Sequence, residues 1–159
     1  MAMLKRRLYQ LCLAAILVAL TALAAQLWTS SYAKHPDRRA RYEIEAVKVE
    51  RDRSFCWLEV HLKKSGETSH DLRKPVLLRT AKGNAHEPAD TTFVGNPEAG
   101  FSEIWFKFWI AESELAETLK LRLNDAELLV KNSQGSPDLG KKGRAVFRST
   151  NWRKSWLGF

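Results

Sequence analysis

The sequence predicts an all-β sandwich of about seven short strands, preceded by one apolar helix. Three observations carry that reading. Residues 8–33 contain no charge and directly follow Lys5, Arg6 and Arg7. From residue 42 onward, apolar and polar residues alternate in short runs punctuated by Gly, Pro, Asn, Asp and Ser. Alternation with period two turns one face of each run toward a core, the pattern of a half-buried strand. Only one stretch between these runs is rich in helix formers, so no strand–helix–strand rhythm develops.

The apolar stretch has two readings. Residues 11–25 (LCLAAILVALTALAA) are apolar except for Thr21. A helix over residues 8–28 is about 31 Å long at ~1.5 Å per residue, enough for a hydrocarbon core of about 30 Å. Trp28 and Tyr32 then stand where an interfacial aromatic belt sits. This is a membrane anchor. The rival is a cleaved signal peptide, with a basic start and small-residue exits at Ala22-Leu23-Ala24 and Ser31-Tyr32-Ala33. A buried core helix is disfavoured, because the stretch has no polar face to turn to water. Cys12 lies at the start of the run, where a lipid-attachment cysteine is not expected. Lys5, Arg6 and Arg7 favour an inside N-terminus, whereas Lys34, Arg38, Arg39, Arg41 and Lys48 oppose it. Long domains translocate largely regardless of charge, so the domain is placed outside: single-pass and extracytoplasmic, or secreted after cleavage. A cytosolic domain would instead turn its basic flank to anionic lipid.

Composition bounds the rest. The 159 residues leave room for one ordinary domain after the first 33. The net charge of +8, from 26 Lys and Arg against 18 Asp and Glu, implies solubility and some attraction to polyanions but specifies no fold, and it is modest enough to read as an ordinary basic surface. Of the two cysteines, Cys12 lies in the apolar stretch, so Cys56 has no partner in the domain and no disulfide framework exists. Cys56 reads as a small buried hydrophobe, with an intermolecular bond as the alternative.

In chain order, residues 34–41 (KHPDRRAR) read as a charged linker. Tyr42 and Ile44 then alternate with Glu43 and Glu45. The apolar phase slips near Ala46 and Val47, marking a bulge or an early strand end. Residues 51–54 turn. Residues 55–63 (FCWLEVHLK) make a strong strand, with Cys56, Leu58, Val60 and Leu62 on one face and Phe55, Trp57, Glu59, His61 and Lys63 on the other. Turn residues surround Gly66. Pro75 opens a short strand at 76–80, where it removes no central ladder bond. Lys82-Gly83-Asn84 turns, residues 86–90 form a loop, residues 91–94 form a brief edge strand, and residues 95–100 (GNPEAG) form a loop. Residues 102–110 (SEIWFKFWI) are the most hydrophobic strand. Ile104, Phe106, Phe108 and Ile110 face one way, and Trp105, Lys107 and Trp109 the other. Residues 111–118 (AESELAET) predict a single helical turn crossing between sheets. Leu119, Leu121 and Leu123 point inward between Lys120 and Arg122. Asn124-Asp125 turns, and residues 126–131 (AELLVK) return as the hairpin partner.

This strand order, the FKFWI strand, the short helical crossing and the closing LRLNDAELLVK hairpin resemble bacterial membrane-anchored immunoglobulin-like domains of unassigned function, over about residues 42–131. The resemblance is one of pattern. It implies an immunoglobulin-like β-sandwich in a binding or accessory role, and it carries over no functional residue. The sequence departs from true immunoglobulin domains in having no second cysteine to bond Cys56. With an apolar leader and no catalytic motif, the expected function is non-enzymatic binding of a protein or envelope component.

Residues 132–143 (NSQGSPDLGKKG) read as a flexible linker. Residues 144–159 form a basic aromatic tail: Arg144, Arg148, Arg153 and Lys154, without an acid, interleaved with Phe147, Trp152, Trp156 and Phe159. If helical, Trp152, Trp156 and Phe159 share a face that can lie on an anionic membrane, dock on a partner or grip nucleic acid. Alternatively, residues 145–147 complete the sheet and Trp152 or Trp156 packs over its end. Nucleic acid is disfavoured, because the leader predicts a compartment where little is met. A second candidate surface is Trp105, Lys107 and Trp109, either a platform for a sugar, lipid or peptide or a face covered by the tail or by a neighbouring element. The candidate binding residues are therefore Trp105, Lys107, Trp109, Arg148, Trp152, Arg153, Lys154 and Trp156. His35, His61, His70 and His86 lack metal-ligand spacing, and a loop cation site at His86, Glu87 and Asp90 competes with an ordinary polar loop. No phosphate loop, nucleophile elbow or carboxylate pair stands out, so no catalytic residue, metal or cofactor is assigned.

Overall fold

The structure of the chain, a computed structural model, describes residues 2–28, 32 and 37–152; in the first helix the described side chains are those of residues 7 and 9–24. The chain forms two compact units, Met1–Ser30 and Ser31–Phe159.

The first unit is α1 (Ala2–Trp28), a helix of Leu, Ala and other good formers without glycine or proline. Thr21 Oγ1 donates to Leu17 O at 2.7 Å, which returns its hydroxyl to its own helix. The described side chains are exposed, and apolar residues occupy every side rather than a stripe. Among the described residues no helix is long and apolar enough to cross a membrane. The span expected over residues 8–28 lies partly outside them, since the side chains of residues 8 and 25–28 are not among those described.

The second unit is an all-β sandwich. Its strands are β1 (Tyr42–Asp52), β2 (Phe55–Lys64), β3 (Leu77–Thr80), β4 (Ala85–His86), β5 (Asp90–Asn96), β6 (Gly100–Ala111), β7 (Leu119–Leu123), β8 (Ala126–Lys131) and β9 (Arg144–Phe147). One sheet has the order β5-β6-β2-β1-β9 and the other β4-β3-β7-β8, with every pair antiparallel. The alternation written in the chain turns Val47, Val49, Leu58, Val60, Phe106 and Phe108 inward from one sheet. They meet Leu78, Leu119, Leu121 and Val130 from the other, all buried. Cys56 is buried among them as a free thiol. The phase slip in β1 is a bulge: pairing with β2 passes from Ile44↔Leu62 to Ala46↔His61 and leaves Glu45 unopposed. The crossing from β6 to β7 is a 3₁₀ turn (Glu112–Ala116), capped by the Glu114 carboxylate, which accepts from Ala111 N at 3.1 Å.

Two strands go beyond the expected seven. β4 is only two residues long and leaves no periodic trace. β9 pairs with the free edge of β1 (Val47↔Phe147 to Glu50↔Arg144), so residues 145–147 complete the sheet, the alternative expected for the basic segment, and Arg144 joins them in the strand. Residues 132–143, expected as a flexible linker, are fastened to the sandwich. Gly135 N donates to Ala116 O at 2.8 Å, Arg51 N donates to Gly143 O at 2.7 Å, and Leu139 is buried. Their glycines serve turns: Gly135 holds φ 89° and Gly140 φ 64°, which a side chain disfavours. The expected linker 34–41 is also partly structured. Asp37 caps a 3₁₀ turn (Arg38–Ala40), Arg41 ends it at φ 65°, and Ala40 is buried; residues 33–36 lie outside the described residues.

Candidate functional site

Two places gather the candidate residues. The first is the outer face of the five-stranded sheet. Because β2 and β6 run antiparallel in register, Trp57 stands opposite Trp109, Glu59 opposite Lys107, and His61 opposite Trp105. The result is two aromatic clusters flanking a charged row. In one, the Trp57 and Trp109 ring centroids are 4.4 Å apart and Phe55 stacks on Trp109 at 5.2 Å. In the other, His61 stacks on Trp105 at 4.3 Å with ring planes 5° apart, and His61 Nε2 lies 2.8 Å from Glu103 Oε2. Between them, Lys107 Nζ sits 4.5 Å from the Trp57 ring centroid, a cation–π contact. A shallow depression of about 250 Å³, lined by Lys48, Glu50, Trp57, Glu59 and Lys107, opens beside it.

Trp105, Lys107 and Trp109 are half-buried by this mutual stacking. The strand from the basic segment, β9, lies at the opposite edge of the sheet beside β1 and does not cover them. The Trp105 and Trp109 rings each turn one face to a β2 neighbour. Chemically the surface offers aromatic contact area, one ammonium over an indole, and carboxylates at Glu59 and Glu103. Phe55, Trp57 and His61 complete it, although sequence reasoning did not select them. Their shared face was legible from alternation in β2, but their placement against β6 depends on pairing register.

The second place is the end of β9. Trp152 is 1% exposed and stacks on Phe147, with centroids 4.6 Å apart and planes 8° apart. Its Nε1 donates to Tyr32 Oη at 2.8 Å, and Tyr32 Oη donates onward to Val130 O at 2.6 Å. Burial drives the Tyr32 phenol pKa well up, against the hydrogen bond from Trp152. The Trp152 amide donates to Ser133 Oγ at 3.2 Å, and Asn132 N donates to Thr150 O at 2.8 Å. Trp152 is therefore a core residue at the sandwich end, not an available binding side chain. Arg148 is exposed; Arg153, Lys154 and Trp156 lie outside the described residues.

Two further titratable clusters bond within the sandwich. His86 Nε2 lies 3.0 Å from Glu114 Oε1, which also accepts from Asn84 Nδ2 at 2.8 Å, so His86 turns to the crossing rather than to Glu87 and Asp90. Burial opposes ionisation of Glu114, but the hydrogen bonds from Asn84, His86 and Ala111 N outweigh it and hold the carboxyl below its usual range. His70 Nδ1 lies 2.9 Å from Asn124 Oδ1, and Asn124 Nδ2 donates to Ala40 O at 2.6 Å. Burial lowers the His70 pKa, against the help of the Asn124 bond. Among the described residues no group of three or more His, Cys, Asp or Glu is placed to hold a metal ion. Comparison of the chain with protein-family models, with curated proteins and with solved structures finds no match.

Proposed function

We propose that this chain is a membrane-associated, extracytoplasmic module whose immunoglobulin-like sandwich serves a non-enzymatic binding role. The observation that carries the proposal is the run 11–24 within α1, whose described side chains are exposed and all apolar but Thr21. Water solvates such a surface poorly, whereas lipid accepts it on all sides. The immunoglobulin-like assignment is supported by strand order. Lettered along the chain, β5-β6-β2-β1 is D-E-B-A and β4-β3-β7-β8 is C′-C-F-G, the order of that sandwich family, with β9 added beside A.

The binding surface proposed is the outer face built by Trp57, Trp105, Lys107 and Trp109, and its partner is a protein or an envelope component. The described residues of the basic segment favour a contribution from Arg148 and none from Trp152. Protease treatment of intact cells is the test of placement. The sandwich is degraded from outside; protection that ends only on lysis would contradict it.

A further inference from the structure

The outer face of the five-stranded sheet has an order of charge as well as of aromatic rings. Strand register places Lys48, Glu59, Lys107 and Asp90 side by side on β1, β2, β6 and β5, so one row across the sheet alternates cation, anion, cation, anion. On one side of this row Trp57 stands beside Trp109. On the other side His61 stands beside Trp105, and beyond them Lys63 stands beside Glu103. Among the described residues, Glu59, Lys63 and Asp90 enter no ion pair. Lys107 Nζ rests over the Trp57 ring. A face that mixes both signs this evenly selects neither a polyanion nor a polycation. It selects a surface with the same alternation.

We infer that this face docks a second copy of the chain, in an isologous dimer whose two-fold axis runs parallel to the strands between β2 and β6. This rests on the reading of the outer face as the binding surface and names its occupant. The axis sets β5, β6, β2 and β1 against β1, β2, β6 and β5 of the second copy. Glu59 then meets the partner's Lys107, Lys48 meets the partner's Asp90, and Lys63 meets the partner's Glu103. Trp57 meets the partner's Trp109, and His61 meets the partner's Trp105. An axis along β2 would instead set Glu59 on the partner's Glu59, and one along β6 would set Lys107 on the partner's Lys107. Sheets packed face to face lie about 10 Å apart and cross at about 30°, a gap that tryptophan, lysine and glutamate side chains fill. Four strands at about 4.8 Å spacing, each with about nine residues at ~3.4 Å, cover about 600 Å² per copy, the lower edge of what stable interfaces bury.

The test uses the full chain in a neutral detergent, with isotopically light and heavy preparations mixed. A carbodiimide joins a carboxylate directly to an amine in contact with it, and mass spectrometry reads a light peptide joined to a heavy one as a link between copies. Such links should join Glu59 to Lys107 and Glu103 to Lys63. Sedimentation measures the dimer. E59K makes the central pair wholly cationic and K107E makes it wholly anionic, so like charges meet twice across the axis and each variant alone should weaken the dimer about tenfold or more. An equimolar mixture of the two variants should recover it, because each copy then meets its opposite. A dimer indifferent to both variants, weakening without recovery on mixing, or links confined to single copies overturns the inference. Radical footprinting of Trp57, Trp105 and Trp109 in intact cells separates the two levels. A chain that is monomeric when purified, yet has these rings shielded in cells, defeats this inference alone and leaves the face to another occupant. A monomer whose rings are as open in cells as in isolation defeats the reading of the outer face as well.

Discussion

At the scale of single residues, buried polar groups in this sandwich hold segments together. Trp152, Tyr32, Asn124 and Glu114 each join pieces far apart in sequence. Two of the titratable ones make stability depend on pH with the same sign. The folded-state pKa of His70 lies below its ordinary value of 6.5, so the unfolded chain takes up the proton first and stability falls as pH drops below about 6.5 toward the folded value. The folded-state pKa of Glu114 lies below 4.5, so its contribution is present above that value and is lost as pH falls through the folded one. Urea midpoints of the full chain measured against pH should therefore decline in two stages on acidification. H70Q should flatten the upper stage and E114Q the lower one. An upper stage unchanged in H70Q, or a lower stage unchanged in E114Q, would assign that titration to another group.

At the scale of elements, the phase of side chains along β1 decides what the fold tolerates. Glu45 has no partner on β2, and removing it restores strict alternation from Tyr42 through Val49. Deleting Glu45 should keep the β-sheet spectrum and cost at most about 1–3 kcal/mol in thermal or urea unfolding. Deleting Glu59, in the middle of unbulged β2, reverses the faces of half a central strand and should abolish cooperative unfolding. Comparable losses from the two deletions would contradict the bulge. The same alternation explains what was legible beforehand: the inward faces of β2, β6 and β7, the slip in β1, the edge character of β5 and the crossing turn. These are local patterns, each read from one segment. That residues 145–147 complete the sheet, with Trp152 packed over its end, was legible as one of two readings of the basic segment; the choice of β1 as partner, the β2 contribution to the aromatic face and the Tyr32–Trp152 bond were not, because they depend on which segment lies beside which.

At the scale of the whole molecule, the chain divides by solvent preference. The first unit carries apolar side chains outward, and the second hides them between two sheets. Of the net charge of +8, Lys5, Arg6 and Arg7 belong to the first unit, which carries no acid. The measurement that tests this division most directly is alkaline carbonate extraction of membranes from cells making the full chain, beside a chain lacking residues 1–30. The full chain should remain in the membrane pellet and the shortened one should be released. Release of the intact full-length chain into the supernatant would contradict the account.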